Sequence, residues 1–359
     1  LLRLWQEQPA RATLVMRSAL ILLVVALPIG WSSYRYHHYT ETENPVNVVV
    51  IQPNIDPYRD KFDGLPPEKQ VSRILELASR EVDAETDYLV GPETALPSSL
   101  WEDHLEQFPV FRQLVDYRER YPRLNVVIGM SSVIGYDHPA TATARKFKKR
   151  EGWYDHFNTA MHLDSSDKVA LYHKSKLVPG VERMPYPALF KPLQDMAIDL
   201  GGTSGSMGTQ QEREVFFSAR NNMGVAPVIC YESIFGDYVG EYLRNGAELI
   251  FIITNDGWWE DTPGYRQHLA YARLRAIEGR RSIARSANTG ISCFINQRGD
   301  VQQATSWWEP DVIKATINAN DTLTFYTRHG DYLARIALWF GGLLMLWATV
   351  RKFVRQRKS

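Results

Sequence analysis

Apolar and polar positions divide the chain into three regimes. Residues 14–31, LVMRSALILLVVALPIGW, and residues 332–350, YLARIALWFGGLLMLWATV, are long apolar runs with few charges. Between them, short β-branched bursts alternate with amphipathic stretches. The bursts cover residues 47–52, 87–90, 126–129, 169–172, 225–230, 249–254, 282–285 and 291–296. Brief runs rich in Val and Ile, closed by Pro, Gly or Asn, predict strands. Residues 67–84, 108–119, 233–245 and 268–278 carry the spacing of helices. Strands alternating with helices predict an α/β layered domain. Residues 136–157 read as a long polar insertion holding the charge run 145–151, and residues 185–208 are rich in Gly, Met and Pro. Such loops often carry binding surfaces or lids, although solvated decoration is the stronger reading for the charged run. No internal repeat is evident.

The two flanking runs predict membrane helices, since a span needs about 20 mainly apolar residues. In the first, Arg17 can snorkel to the interface, and Pro28 and Trp31 lie where a helix would leave the lipid. A buried helix or a signal sequence is the rival, but no small-residue cleavage site follows. The second run is followed at once by RKFVRQRKS, a basic tail that marks a cytoplasmic side. Arg3, Arg11 and Arg17 place the other end on the same side. Residues 32–331 are then expected across the membrane, in a bacterium the periplasm. The expected organisation is a membrane portion at 1–31, a linker at 32–44 and a layered α/β domain at 45–318. A linker at 319–331, a helix at 332–350 and a basic tail at 351–359 complete it. The chain opens on Leu1 rather than Met, so residues 1–31 are expected either to end a longer membrane portion or to belong to a shortened form of the protein.

Composition narrows the classes of function. The 41 Lys and Arg balance 41 Asp and Glu, which argues against a nucleic-acid binder. The 10 Trp, 18 Tyr and 14 Phe suit a dense core or a membrane-apposed surface. Cys230 and Cys293 offer neither zinc-ligand spacing nor a disulfide framework. Each lies in an apolar strand-like run, which argues against a bridge between them.

Three motifs carry candidate chemistry. In Val228-Ile229-Cys230-Tyr231-Glu232 a strand runs into Cys230 with a helix expected soon after. This would present a sulfur at a strand end, with nearby backbone N–H groups for an oxyanion. A lone cysteine there would more often be core packing. In Gly91-Pro92-Glu93-Thr94-Ala95-Leu96-Pro97, Glu93 follows another strand. It can accept a thiol proton if burial raises its pKa toward neutrality; alone, it would more often be a cap or loop carboxylate. In Tyr172-His173-Lys174-Ser175-Lys176-Leu177-Val178-Pro179, an ammonium at Lys174 can stabilise a thiolate or an oxyanion. Lys176 and His173 compete for that role, and strand alternation does not separate Lys174 from Lys176.

Taken together, the three motifs resemble the nitrilase (carbon–nitrogen hydrolase) superfamily and, more narrowly, the apolipoprotein N-acyltransferase family of Gram-negative bacteria. The resemblance covers about residues 45–318. It implies an α-β-β-α sandwich with a Glu-Lys-Cys triad. Glu93 in GPETALP then falls as general base, Lys174 in YHKSKLVP as the cation for oxyanion and thiolate, and Cys230 in ICYES as nucleophile. Glu182 in PGVERMP matches a second family glutamate of the acyl-intermediate site, and its spacing from Lys174 fixes the register against Lys176. Tyr231 and Glu232 match the residues after the nucleophile. Residues 254–259 (TNDGWW), Gln267-His268, residues 272–278 and residues 285–290 match further signatures. Lys176 stands where the family usually has His, and Gly180-Val181 where it has Phe-Gly.

The resemblance implies a phospholipid acyl donor, attacked at the acyl ester of its first glycerol position, and a diacylated apolipoprotein acceptor with a free α-amine. It implies no metal, nucleotide or other cofactor. Trp258, Trp259, Met184 and Pro185 are candidates to line an acyl path, with core packing the rival role for the tryptophans. The competing functions are a membrane-anchored amidase-like hydrolase, in which water resolves the intermediate, and a non-catalytic scaffold. Intact Glu93, Lys174 and Cys230 argue against the scaffold.

Overall fold

The computed structural model describes residues 11–61, 64–166, 168–183 and 206–356. The chain divides into two compact units, Leu1–Glu41 and Thr42–Ser359. In the first, helix α1 (Arg11–His38) is long and apolar enough to cross a membrane by length and composition. It outlasts the apolar run, so the first part of the expected linker at 32–44 is helical. The polar turn SSYRYHH holds because Tyr34 stacks on His38 at 4.1 Å, one helical turn on, while His38 Nδ1 meets the Tyr34 carbonyl at 2.9 Å.

The second unit is built on two sheets. The first joins eight strands in the order β14-β1-β2-β4-β6-β5, with β3 paired to β4 and β7 to β6. These are β1 (Pro45–Gln52), β2 (Tyr88–Val90), β3 (Leu96–Trp101), β4 (Asn125–Tyr136), β5 (Arg145–Lys146), β6 (Trp153–Leu163), β7 (Ala170–His173) and β14 (Asp311–Asn318). The second sheet runs β13-β12-β11-β10-β9-β8. Its members are β8 (Phe216–Phe217), β9 (Gly224–Ile229), β10 (Leu249–Thr254), β11 (Ile283–Ala287), β12 (Cys293–Ile295) and β13 (Val301–Gln302).

The unbroken apolar run of β1 follows from burial on both faces. Val48 and Val50 point into a core shared with Val225, Val228, Ile250 and Ile252 of the second sheet. Val49 and Ile51 point the other way, into a second core with helices α2 (Pro67–Ala78) and α3 (Pro109–Glu119). Those helices supply Val71, Ile74 and Leu77, and Val110, Phe111 and Leu114. On the far side of the second sheet, α4 (Gly236–Arg244) and α5 (Gly264–Gly279) contribute Val239, Tyr242, Leu243, Ala272 and Ala276. The layers are therefore helix, sheet, sheet, helix. Each fully buried Val or Ile contributes about 1.5–3 kcal/mol, so the paired cores hold the strand ends rigidly.

Three expectations change. The ends of residues 136–157 are not loop: β4 and β6 pair antiparallel from Val126↔Leu163 to Tyr136↔Trp153, leaving a shorter polar connection. The linker expected at 319–331 contains α6 (Phe325–His329), capped where the Thr327 N–H donates to Thr324 Oγ1 at 3.0 Å. The C-terminal helix α7 (Tyr332–Gln356) extends past its apolar run; its stretch Tyr332–Arg351 is long and apolar enough for a span.

Candidate active site

Parallel strands end together, and their C-terminal ends gather the candidate residues. Strands β1, β2 and β4 run parallel in the first sheet, as β9, β10 and β11 do in the second. The chain leaves β2 through Gly91 and Pro92 to Glu93. It leaves β7 at Lys174, β9 at Cys230 and β10 at Asn255. Gly129 of β4 lies directly beneath this turn: a Cβ there would stand 2.5 Å from the Thr94 nitrogen and 2.7 Å from Glu93 Cα. Cys230 has φ +47°, in the left-handed region, and opens a 3₁₀ turn through Ile234 before α4. For a non-glycine residue that conformation costs roughly 1–2 kcal/mol, which the surrounding hydrogen bonds must offset.

Glu93, Lys174 and Glu182 form one buried cluster. The Lys174 ammonium donates to Glu93 Oε1 and to Glu182 Oε1, both at 2.9 Å. The Asn158 side-chain amide repeats the bridge, donating at 2.7 Å to Glu93 Oε1 and 2.9 Å to Glu182 Oε1. The second oxygen of each carboxylate is fixed by backbone. The Asn255 N–H donates to Glu93 Oε2 at 3.0 Å, and the Val178 N–H to Glu182 Oε2 at 2.8 Å. The Lys174 side chain is only 1% exposed. Cys230, 8% exposed, is close enough for its charge state to couple to both Glu93 and Lys174.

The electrostatics give the resting protonation pattern. Burial pushes the Glu93 carboxyl up, but the Lys174 charge and hydrogen bond, with Asn158 and Lys61, outweigh it and hold Glu93 below the usual carboxylate range. Lys174 thus overrides the rise that burial alone would produce. Burial pulls Lys174 down, yet Glu182, Glu93 and Cys230 raise it well above the usual lysine value. Burial, reinforced by Glu93, pushes the Cys230 thiol up, with Lys174 opposing. The site at rest is thus a carboxylate, an ammonium and a neutral thiol.

The remaining expected residues divide clearly. Glu232 is fully buried and ties two strand ends together. Its Oε1 accepts from the Tyr172 hydroxyl at 2.8 Å and the Ser175 N–H at 2.7 Å, and its Oε2 from the Ile229 N–H at 2.9 Å. It therefore links the Lys174 segment to the Cys230 segment. Tyr231 packs edge-on to Phe235, with ring centres 5.3 Å apart. Lys176, unlike Lys174, is exposed and lies over the Phe235 and Tyr238 rings. His173 turns to Glu102, 2.7 Å away. Trp258 and Trp259 are not core residues: they are 40% and 43% exposed, and Trp258 meets Tyr58 edge-on. Met184, Pro185 and most of the loop at 185–208 lie outside the described residues. Cys230 and Cys293 are both free thiols. Among the described residues, no three His, Cys, Asp or Glu side chains gather as a metal site.

Three participants had no role assigned from sequence, although Asn255 lies in the matched stretch 254–259. Asn158 lies inside β6, where only its polarity among buried neighbours signals a role. Asn255 acts through its backbone, which no side-chain pattern reveals. Lys61 is 3% exposed and donates to the Glu93 carbonyl at 3.1 Å. Burial lowers its pKa to about 8 against the raising influence of Glu93 and Cys230.

The carbon–nitrogen hydrolase family profile matches residues 48–325. Among curated proteins, the chain is 33% identical to the apolipoprotein N-acyltransferase of Chlorobaculum tepidum over 92% of its own length and 62% of that protein's. It is 28% identical to the apolipoprotein N-acyltransferase of Photobacterium profundum, over 90% of this chain and 59% of that one. The chain thus spans about three fifths of the length of these relatives. Among solved structures, an amidase of the nitrilase superfamily from Nesterenkonia superposes with TM-score 0.54 at 14% identity, covering 84% of this chain and all of that one. A nitrilase-superfamily member from Saccharomyces cerevisiae gives TM-score 0.54 at 12% identity, covering 78% and 93%. These two similarities concern the fold.

Proposed function

From a chain that belongs to the carbon–nitrogen hydrolase family, we propose an enzyme that carries an acyl group as a thioester on Cys230 and passes it to an amine. The buried cluster that sets Lys174 between Glu93 and Glu182, beside the Cys230 thiol, is the observation that carries this reading. Glu93 accepts the thiol proton as Sγ attacks an ester carbonyl, and the C–S bond forms. Lys174 and the Tyr231 N–H stabilise the oxyanion. Its collapse breaks the ester C–O bond, and the departing alcohol oxygen takes the proton from Glu93. In the second half, an amine attacks the thioester, Glu93 takes the amine proton, and the C–S bond breaks. That proton then returns to the sulfur.

Phospholipid is the proposed donor, and the α-amine of a diacylglyceryl-modified cysteine the proposed acceptor. The names of the curated relatives and the two helices of membrane-spanning length support this choice. So does energetics. Each methylene drawn out of lipid into water costs about 0.8 kcal/mol, so a site beside the bilayer suits two lipid-anchored reactants. The proposed placement is a bacterial inner membrane, with the sandwich in the periplasm and the C-terminus cytoplasmic. Exposed Trp258 and Trp259 are proposed to meet acyl chains.

The family to which the chain belongs is named for hydrolysis, which favours a second reading. The same thioester would form, and water rather than an amine would resolve it, as in an amidase-like hydrolase. The test supplies the full-length membrane protein with vesicles of acyl-labelled phospholipid and a diacylated lipopeptide bearing a free N-terminal amine. Acyl transfer predicts label on the peptide nitrogen, and none on an N-acetylated control peptide. Label appearing only as free fatty acid would overturn acyl transfer in favour of hydrolysis.

A further inference from the structure

A buried polar assembly stands behind the nucleophile and takes no part in the steps above. The Cys230 carbonyl oxygen accepts from Ser233 Oγ at 2.7 Å and lies 3.0 Å from His268 Nε2. Ser233 Oγ and His268 Nε2 are 2.8 Å apart. Behind the ring, His268 Nδ1 is 3.0 Å from Asp256 Oδ1 and 3.1 Å from Arg285 Nη2, and Arg285 Nη2 donates to Asp256 Oδ2 at 2.7 Å. Ser233, Asp256 and Arg285 are fully buried, and His268 is 5% exposed. Burial pushes the Asp256 carboxyl up, but Arg285 and His268 overcome it and hold it far below the carboxylate range. Ser233 has one hydroxyl proton. With that proton on the Cys230 carbonyl, Nε2 faces lone pairs on two oxygens and must itself be the donor.

The peptide that these groups grip carries more than a carbonyl. The Cys230 C=O and the Tyr231 N–H belong to one planar trans unit and point in opposite directions. Fixing the oxygen against His268 and Ser233 fixes the N–H on the opposite side, the donor assigned above to the oxyanion. The left-handed φ of Cys230 shows that this unit sits away from its relaxed conformation. We infer that Ser233 and His268, braced by Asp256 and Arg285, are positioning residues that hold the Cys230–Tyr231 peptide so that its N–H faces the acyl oxyanion. This rests on the proposed thioester chemistry. It assigns the assembly to the formation of the tetrahedral intermediate rather than to the reactivity of sulfur.

Two reactions on the same thiol separate those roles. Acylation by an activated ester passes through an oxyanion; alkylation by iodoacetamide is a direct displacement at carbon and forms none. Both rates are measured at Cys230 by peptide mass spectrometry on the full-length protein in detergent micelles. The His268→Phe substitution keeps a flat ring but no donor, Ser233→Ala removes the hydroxyl, and His268→Gln restores an N–H. The inference expects His268→Phe and Ser233→Ala to acylate on the order of 10²-fold more slowly, the effect of a misplaced catalytic group, with alkylation unchanged. His268→Gln should regain most of the acylation rate. Should His268→Phe fail to fold, Ser233→Ala carries the comparison. Parallel loss of acylation and alkylation, or acylation at the wild-type rate in both variants, would overturn the inference. A wild-type protein that alkylates but never acylates would overturn the thioester reading, and this inference with it.

Discussion

Replacing Lys174 with Met tests the electrostatics of the cluster separately from its chemistry. Lys174 is the ammonium shared by Glu93 and Glu182, at 2.9 Å from an oxygen of each. Its removal leaves two carboxylates facing each other in a buried site, with Asn158 as their remaining common donor. Breaking a buried pair in this way costs about 3–5 kcal/mol. At roughly 2 °C per kcal/mol for a domain of this size, the melting temperature should fall by about 6–10 °C at pH 7.5. The pH dependence carries the sign. In the wild type, Glu93 is held below its ordinary value, so its contribution is present above the unfolded carboxylate pKa and is lost only in acid. Lys174 is held above its ordinary value, so its contribution is present below about 10.5 and is lost only as pH rises through its folded pKa. Wild-type stability from this pair is therefore flat near neutrality. In Lys174→Met the two carboxylates repel, and one of them binds a proton more readily, so its destabilisation should shrink as pH falls to 5. Tryptophan fluorescence during heating in detergent micelles at the two pH values measures this. A second variant, Lys174→Met with Glu182→Gln, should recover most of the stability and none of the acylation. Equal destabilisation of Lys174→Met at both pH values, or no rescue by the second change, would refute this reasoning.

Other consequences follow from single contacts. Gly129→Ala would drive a Cβ against the backbone of Glu93 and Thr94; it should lower stability by about 1–3 kcal/mol and slow acylation of Cys230, measured by heating and by labelled-ester uptake. Because Glu93 stays ionised through the ordinary carboxylate range, the acylation rate should hold as pH falls to 5 and decline only in stronger acid, as a rate profile would show. Lys61 titrates at about 8 when folded and near 10.5 when unfolded, so the native state binds fewer protons between those values. Its contribution to stability should rise from pH 8 to 10, and Lys61→Met should lack that rise in paired denaturation curves. Cys293→Ala should leave label uptake at Cys230 intact, since Cys293 is a fully buried thiol in β12.

The layered architecture was legible where burial is two-sided. The centres of residues 47–52 and 249–254 are unbroken apolar runs because both faces of β1 and β10 are covered, and both were expected as strands. Strand β6 was hidden because His156, Asn158, Thr159 and His162 interrupt its apolar pattern. Asn158 serves the carboxylates, Thr159 meets Ser132 at 2.6 Å and His162 meets Asn125 at 3.2 Å, so three of the polar residues that masked the strand are held by tertiary partners. Glu93, Lys174 and Cys230 stood out as polar residues ending apolar runs. Alternation could not separate Lys174 from Lys176; in the structure Lys174 is buried and Lys176 exposed. The direction of the Glu93 shift was illegible because it depends on a cation 81 residues away in sequence. Asp256, His268 and Arg285 lie in stretches matched in the sequence, but their mutual contacts, like the placement of Lys61 on Glu93, arise only in the fold.

The most direct test of the central claim is the mass of the Cys230 peptide after the full-length protein meets phospholipid vesicles carrying an isotope-labelled acyl chain. The account predicts one labelled acyl group on Cys230, released by hydroxylamine as a thioester is, and missing in Glu93→Gln. An unmodified Cys230 in protein whose thiol still alkylates, or label that resists hydroxylamine or sits on another residue, would contradict it.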